Sequence, residues 1–200
     1  LNLTLGVYML SATTELEAVN SMLTTIGEAP VSSLENSGIA DAAIAYQILQ
    51  ETSREVQARG WHFNTEIEFP LSPTFPDKHI VLPSNVLEVD TAGIDSHTQA
   101  VQRGNRLYNR KENSYEFDKT IKADIIIQLP FDEVPQYAKG YIAVRAARIF
   151  QRRVVGSSEL DSFTAQHEVR MLVQLENAEA RTADLNVFNG NESILRVLDR

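Results

Sequence analysis

The sequence predicts an α+β protein: a helical bundle of two N-terminal and two C-terminal helices, interrupted by a β-rich insertion and followed by a loose C-terminal arm. Three observations carry this. Apolar residues recur at the helical period before residue 60 and after residue 133, whereas between those points they alternate. Prolines 70, 73, 76, 83 and 130 punctuate the alternating block, where short strands and loops tolerate them and helices do not. Gly27, Gly60 and Gly156 stand where helical periodicity stops. The expected segments are 1–60 and 133–182 for the two helical pairs, 61–132 for the β-rich insertion and 183–200 for the arm.

The first helix opens on Thr14-Glu15-Leu16-Glu17, a capping box in which hydroxyl and carboxylate satisfy free amide donors. Leu16, Val19, Met22, Leu23 and Ile26 form its stripe, and Gly27 and Pro30 end it. A second helix is expected over 39–59, with Ala45, Leu49, Thr52 and Val56 as its stripe, Ile44 and Ile48 beside it, and Gly60 as its cap. After Gly60 the period becomes two: Ile67, Phe69 and Leu71 alternate with polar residues or Pro70, and Leu87, Val89 and Thr91 do so before Gly93. Residues 101–108 read as a hairpin turning at Gly104-Asn105, with further strands at Tyr115/Phe117 and over 121–129. The third helix is expected over 134–153, with Tyr137, Tyr141, Val144 and Ala147 on one face. Ser158-Glu159-Leu160-Asp161 caps a fourth helix expected to end near Ala180, with Ala165, Val169 and Leu172 in its stripe.

Charge divides unevenly. Residues 1–100 hold 13 acids and 3 bases (Arg54, Arg59 and Lys78), whereas residues 101–200 hold 14 acids and 15 bases, giving −10 and +1 within a net −9. Phosphate tracking needs a basic surface, so non-specific nucleic-acid binding by the whole chain is disfavoured. With 0 Cys there is no disulfide framework, cysteine catalysis or thiolate metal site. No apolar run is long enough to span a membrane. The apolar opening at 1–10 lacks a basic leader and a small-residue cleavage site, so it does not read as a signal peptide, and Leu1 is not an initiator residue.

No catalytic, cofactor-binding or metal-ligating residue is assigned. His62, His79, His97 and His167 are scattered, and the His167-Glu168 pair lacks a second His where Met171 stands. No Gly-rich phosphate loop occurs. Glu66 with Glu68, on one expected strand face, and Asp132 with Glu133 are carboxylate pairs of the kind glycoside hydrolysis uses across a cleft. A glycan hydrolase therefore stands as an alternative to a non-enzymatic role. Arg145, Arg148 and Arg152 recur at three- and four-residue spacing on one helical face, with Arg153 beside it. Such a face pairs with neighbouring acids, forms an interface, since guanidinium holds carboxylates bidentately, or contacts DNA, a reading that the net charge of −9 weakens. Trp61, next to Arg59, is the single Trp and sits where helical period gives way to alternation. It plugs that junction or anchors a partner. Ile194, Leu195 and Leu198 give the arm docking residues.

Three segments carry a resemblance. Glu17-Ala18-Val19-Asn20-Ser21-Met22-Leu23-Thr24-Thr25-Ile26-Gly27-Glu28-Ala29-Pro30-Val31-Ser32-Ser33-Leu34 resembles the opening of the tail tubular protein A family, head-to-tail adaptors of short-tailed bacteriophages. Ala40-Asp41-Ala42-Ala43, with Gln57-Ala58-Arg59-Gly60-Trp61-His62-Phe63-Asn64, and then Ala147-Arg148-Ile149-Phe150-Gln151-Arg152-Arg153-Val154-Val155-Gly156 match in the same order. The resemblance implies a virion structural protein made in the host cytoplasm. Its copies, about twelve, form a homo-oligomeric ring between portal protein and tail nozzle protein. DNA passes through that ring without sequence-specific binding. No cofactor and no membrane insertion are implied.

Overall fold

The computed structural model describes residues 13–35 and 38–190. The chain is α+β, as its two periodicities predict, and it divides into two compact units. One comprises residues up to Leu49 with Phe131–Met171, the other Gln50–Pro130 with residues from Leu172 on.

The first unit is helical. Helix α1 (Glu15–Thr25) starts on the expected capping box: Thr14 Oγ1 accepts the Glu17 N–H at 3.2 Å, and Glu17 Oε2 accepts the Thr14 N–H at 2.9 Å. It ends in a Schellman turn, with Gly27 at φ +82° and Glu28 N–H donating to the Leu23 carbonyl. The side chain of Asn20 then holds Val31 by both backbone groups, at 2.9 and 2.8 Å, tying the loop back to α1. Helix α1 packs on α3 (Gln136–Val154), and Ala18, Val19, Met22 and Leu23 are buried. The fully buried stripe of α3 is Ala138, Ile142, Ala146 and Phe150. It lies one residue on from the expected face, of which only Tyr141 is fully buried. Helix α2 (Ala40–Gln57) contributes residues to both units; Ala45, Ile48, Leu49, Thr52 and Val56 are buried, whereas Ile44 is exposed.

The second unit is built on a three-stranded antiparallel sheet in the order β1-β5-β2, formed by β1 (Thr65–Leu71), β2 (Val86–Thr91) and β5 (Ile121–Ile127). Strands β3 (Ala100–Arg103) and β4 (Arg106–Asn109) make the expected hairpin, Gly104 turning at φ +63°. Alternation places Ile121, Ala123 and Ile125 of the central strand in a core with Leu71, Ile80, Leu82, Val86, Leu107 and Phe117. Tyr115 and Phe117 do not form the expected strand; the chain there makes only isolated bridges, Asn109 to Ser114 and His79 to Glu116.

Strand β1 also departs from expectation. The register shifts between Glu66 and Phe69, and Glu68 adopts φ +51°. That bulge breaks the period-two alternation, so Glu66 and Glu68 do not share a regular face and Ile67 is 74% exposed. A bulge and Pro70 on an outer strand are also what keep such an edge from pairing with another chain. Helix α4 (Ser158–Gly190) contributes to both units and runs past its expected end near Ala180. Ser158 is its first residue and Ser157, whose carbonyl accepts the Asp161 N–H, precedes it. Of the expected arm, residues 191–200, and with them Ile194, Leu195 and Leu198, lie outside the described residues.

Candidate assembly surfaces

The arginine face of α3 meets acids of α4 within the first unit. Arg148 grips Asp161 as a fork, Nε to Oδ1 at 2.7 Å and Nη2 to Oδ2 at 3.1 Å, and its Nη1 donates to Glu168 Oε2 at 3.0 Å. The other oxygen of Glu168 accepts from Arg145 Nη1 at 2.8 Å. Glu168 is thus bridged by two guanidiniums, with its side chain 11% exposed and that of Arg148 25%. This explains why the expected α4 stripe breaks at Val169: Glu168 turns inward to meet two cations and its neighbour Val169 is exposed, whereas Ala165 and Leu172 are half-buried. The hydrogen bonds from Arg148 hold the Asp161 carboxyl below its ordinary range and raise the guanidinium's own pKa. Arg152 stands further out, 63% exposed and 3.9 Å from Asp161, with Arg153 exposed beyond it.

Trp61 is buried, and its indole N–H donates to the Val56 carbonyl at 2.6 Å. Arg59 Cζ lies 4.8 Å from the ring centroid, and the Arg59 guanidinium reaches Glu176 at 3.8 Å. Gly60 between them is at φ +70°, and a Cβ there would come within 2.6 Å of Ile126 Cδ1, so the turn needs glycine twice over. The ring closes the turn that leads from α2 into β1, within the second unit. Sequence reasoning missed the polar residues beneath it. Gln57 and Asn64 are both buried and bond backbone groups on each side. Their signal was an amide within a stretch that otherwise marks helix end and turn.

The acids singled out for hydrolysis are placed differently. Glu66, Glu68, Asp132 and Glu133 are all exposed, and Glu68 Oε2 accepts from Lys122 Nζ at 2.8 Å. The two pairs belong to different units. Among the described residues no group of three or more His, Asp or Glu is set to hold a metal ion, and none of the helices searched is long and apolar enough to cross a membrane.

A buried carboxylate the sequence did not single out is Asp95. Its Oδ1 accepts from Lys119 Nζ and its Oδ2 from the Lys122 backbone N–H at 3.0 Å. These bonds, led by that from Lys119, hold its pKa below the usual carboxylate value. A depressed carboxyl stabilises the fold above the unfolded-state pKa, and that contribution is lost as pH falls through the folded-state value. Asp95→Asn is therefore expected to lower the urea midpoint at pH 7 and to lose less on acidification toward pH ~3 than the parent chain. Parallel acid dependence of the two proteins would count against this role.

Outside these internal pairings the chain displays apolar side chains to solvent: Ile67 and Phe69 on β1, Phe75 in the following loop, and Val169 and Val173 one turn apart on α4. Single exposed apolar residues are ordinary, but a row at four-residue spacing on a helix is a contact-making pattern. Comparison with known proteins gives this display its context. A family model described as tail tubular protein matches residues 16–185. A tail tubular protein A from Klebsiella phage KP34 is 31% identical over 155 residues, covering 77% of this chain and 81% of that relative. The chain is thus a structural component of a bacteriophage tail. It belongs to the tail tubular protein family.

Proposed function

We propose that the chain is a ring-forming head-to-tail adaptor, made in the host cytoplasm, that joins portal protein to the tail nozzle. About twelve copies would line part of the DNA ejection channel. The observation that carries this is the family match across residues 16–185. Physical chemistry supports it. A ring closes through a heterologous contact, in which one patch meets a different patch on the next copy. A chain with −10 in one half and +1 in the other has the makings of two such patches. An acidic channel wall also lets phosphate slide without sticking.

Light scattering and negative-stain microscopy of the purified full chain, alone and with portal protein, test the reading directly. Closed rings or portal-bound rings are expected. A chain that stays monomeric and binds neither portal nor nozzle protein overturns it. A glycan hydrolase, as a second function or instead, would draw on Glu66, Glu68, Asp132 and Glu133. Such chemistry wants one carboxyl shielded enough to stay protonated. All four are exposed and Glu68 is engaged by Lys122, which favours the structural reading.

A further inference from the structure

The β3–β4 hairpin and the turn after it carry cations that the described chain does not neutralise. Elsewhere in the same unit Lys78 holds Asp118, Lys119 holds Asp95, Lys122 holds Glu68 and Arg59 reaches Glu176. Arg103, Arg106, Arg110 and Lys111 have no ion-pair partner among the described residues. For a chain of net charge −9, four unpaired cations within nine residues are a local inversion of sign.

Two of them are fixed in place. Arg103 and Arg106 are register partners on either side of the Gly104-Asn105 turn. Arg103 Cζ lies 3.6 Å from the centroid of Tyr108, and Arg106 Cζ lies 4.4 Å from that of Tyr115. The two rings meet edge to face at 5.0 Å, and Arg106 Nη1 is 3.4 Å from His79 Nδ1. Like charges opposite one another in a hairpin are unfavourable, and the rings offset this by attracting the cations to their faces. Contact with a ring face uses none of the five guanidinium N–H donors. The arrangement therefore holds the Arg103 fork, and those Arg106 donors not turned to His79, ready for planar anions, with part of the ordering cost of long side chains already met.

We propose that this hairpin is the anion-recognising half of a contact between copies of the chain, and that it takes carboxylates of a neighbouring copy, Glu28 and Glu35 first. The inference rests on the ring reading and gives it a partner surface. Glu28 and Glu35 are exposed in the segment after α1 and have no ion-pair partner among the described residues. They belong to one unit and the hairpin to the other, so each chain offers two different patches, as a head-to-tail contact requires. Carboxylate is favoured over nucleic acid because each tyrosine already holds a cation, whereas single-strand binding uses free aromatic faces for base stacking.

The test is sedimentation velocity and light scattering on the full chain across a range of salt. Arg103→Glu with Arg106→Glu should weaken self-association about tenfold or more, and Arg103→Gln with Arg106→Gln should weaken it less. Adding Glu28→Arg and Glu35→Arg to the Glu pair should restore much of the loss. Thermal melts control for folding, and if the Glu pair does not fold, the Gln pair and the salt dependence of the parent carry the test. Assembly of the Glu and Gln pairs equal to the parent's overturns the proposal and leaves the ring reading standing. A parent chain that never associates, with or without portal protein, overturns both. Unaltered assembly with lost binding to a single-stranded oligonucleotide overturns the assigned occupant.

Discussion

Arg148→Ala is expected to lower the free energy of unfolding by about 3 kcal/mol, read from urea melts at neutral pH. The guanidinium makes three hydrogen bonds to two acids, at 2.7, 3.1 and 3.0 Å. Removing it leaves Glu168, with a side chain only 11% exposed, dependent on Arg145 alone, and leaves Asp161 near only the distant Arg152. The cost comes from stranding shielded charge, which exceeds what the intact pair contributes over a well-packed apolar replacement. Arg148→Lys should recover part of the loss, since Lys restores charge but not the fork. Arg148→Glu should be worse than Ala, because it sets a third carboxylate between the other two.

Acid supplies an independent check on the same network. Arg148 holds the Asp161 carboxyl below its ordinary value. The stabilisation is present above the unfolded-state pKa and fades as pH falls through the folded-state value. The gap between parent and Arg148→Ala should therefore narrow at pH ~2–3. If the gap stays constant with pH, the loss is one of packing along the α3–α4 contact and not of charge. Either result separates Arg148 from Arg152, whose 63% exposure makes it the better substitution for testing ring assembly without disturbing the fold.

What the sequence made legible was whatever depends on neighbours along the chain. Thr14 and Glu17 form a capping box over three residues, and Gly104-Asn105 turns a hairpin over two, so local chemistry decides both. The errors fall where a distant partner decides. Val169 reads as core because it is apolar and correctly spaced, yet Glu168 takes the inward position since two arginines on another helix await it. Ile67 and Phe69 alternate as a half-buried strand should, but the bulge at Glu68 re-aims them. The same limit governs the candidate surfaces. The uneven charge was countable from the first hundred residues, whereas which cations remain unpaired depends on tertiary pairing and singles out Arg103 and Arg106 over the arginines of α3.

Asn64→Ala should cost about 4 kcal/mol, the larger of the two losses argued here, although no charge is involved. Asn64 is buried, and its side chain meets three backbone groups: Nδ2 donates to the Gln57 and Ile127 carbonyls, each at 2.9 Å, and Oδ1 accepts the Trp61 N–H at 2.9 Å. Alanine takes one partner from each, and although the Gln57 carbonyl keeps the Gly60 N–H at 3.1 Å, the Trp61 N–H and the Ile127 carbonyl lose the bond that Asn64 gives them, at about 1–3 kcal/mol for each buried group left unpaired. Asn64→Asp keeps the acceptor for Trp61 but turns the two donated bonds into oxygen–oxygen contacts, so an isosteric change should be nearly as damaging. Gln57 works in parallel, accepting the Leu129 N–H at 2.7 Å and donating to the Leu129 carbonyl at 3.1 Å. The double substitution with Gln57→Ala should therefore fall short of the sum, because both residues fasten the end of α2 to the chain around β5. Trp61 makes the consequence visible. As the single Trp, buried and bonded to Val56, it should shift its emission to the red when the turn loosens. Loss of stability without that shift would place the cost in β5 and clear the Trp61 turn of any dependence on Asn64.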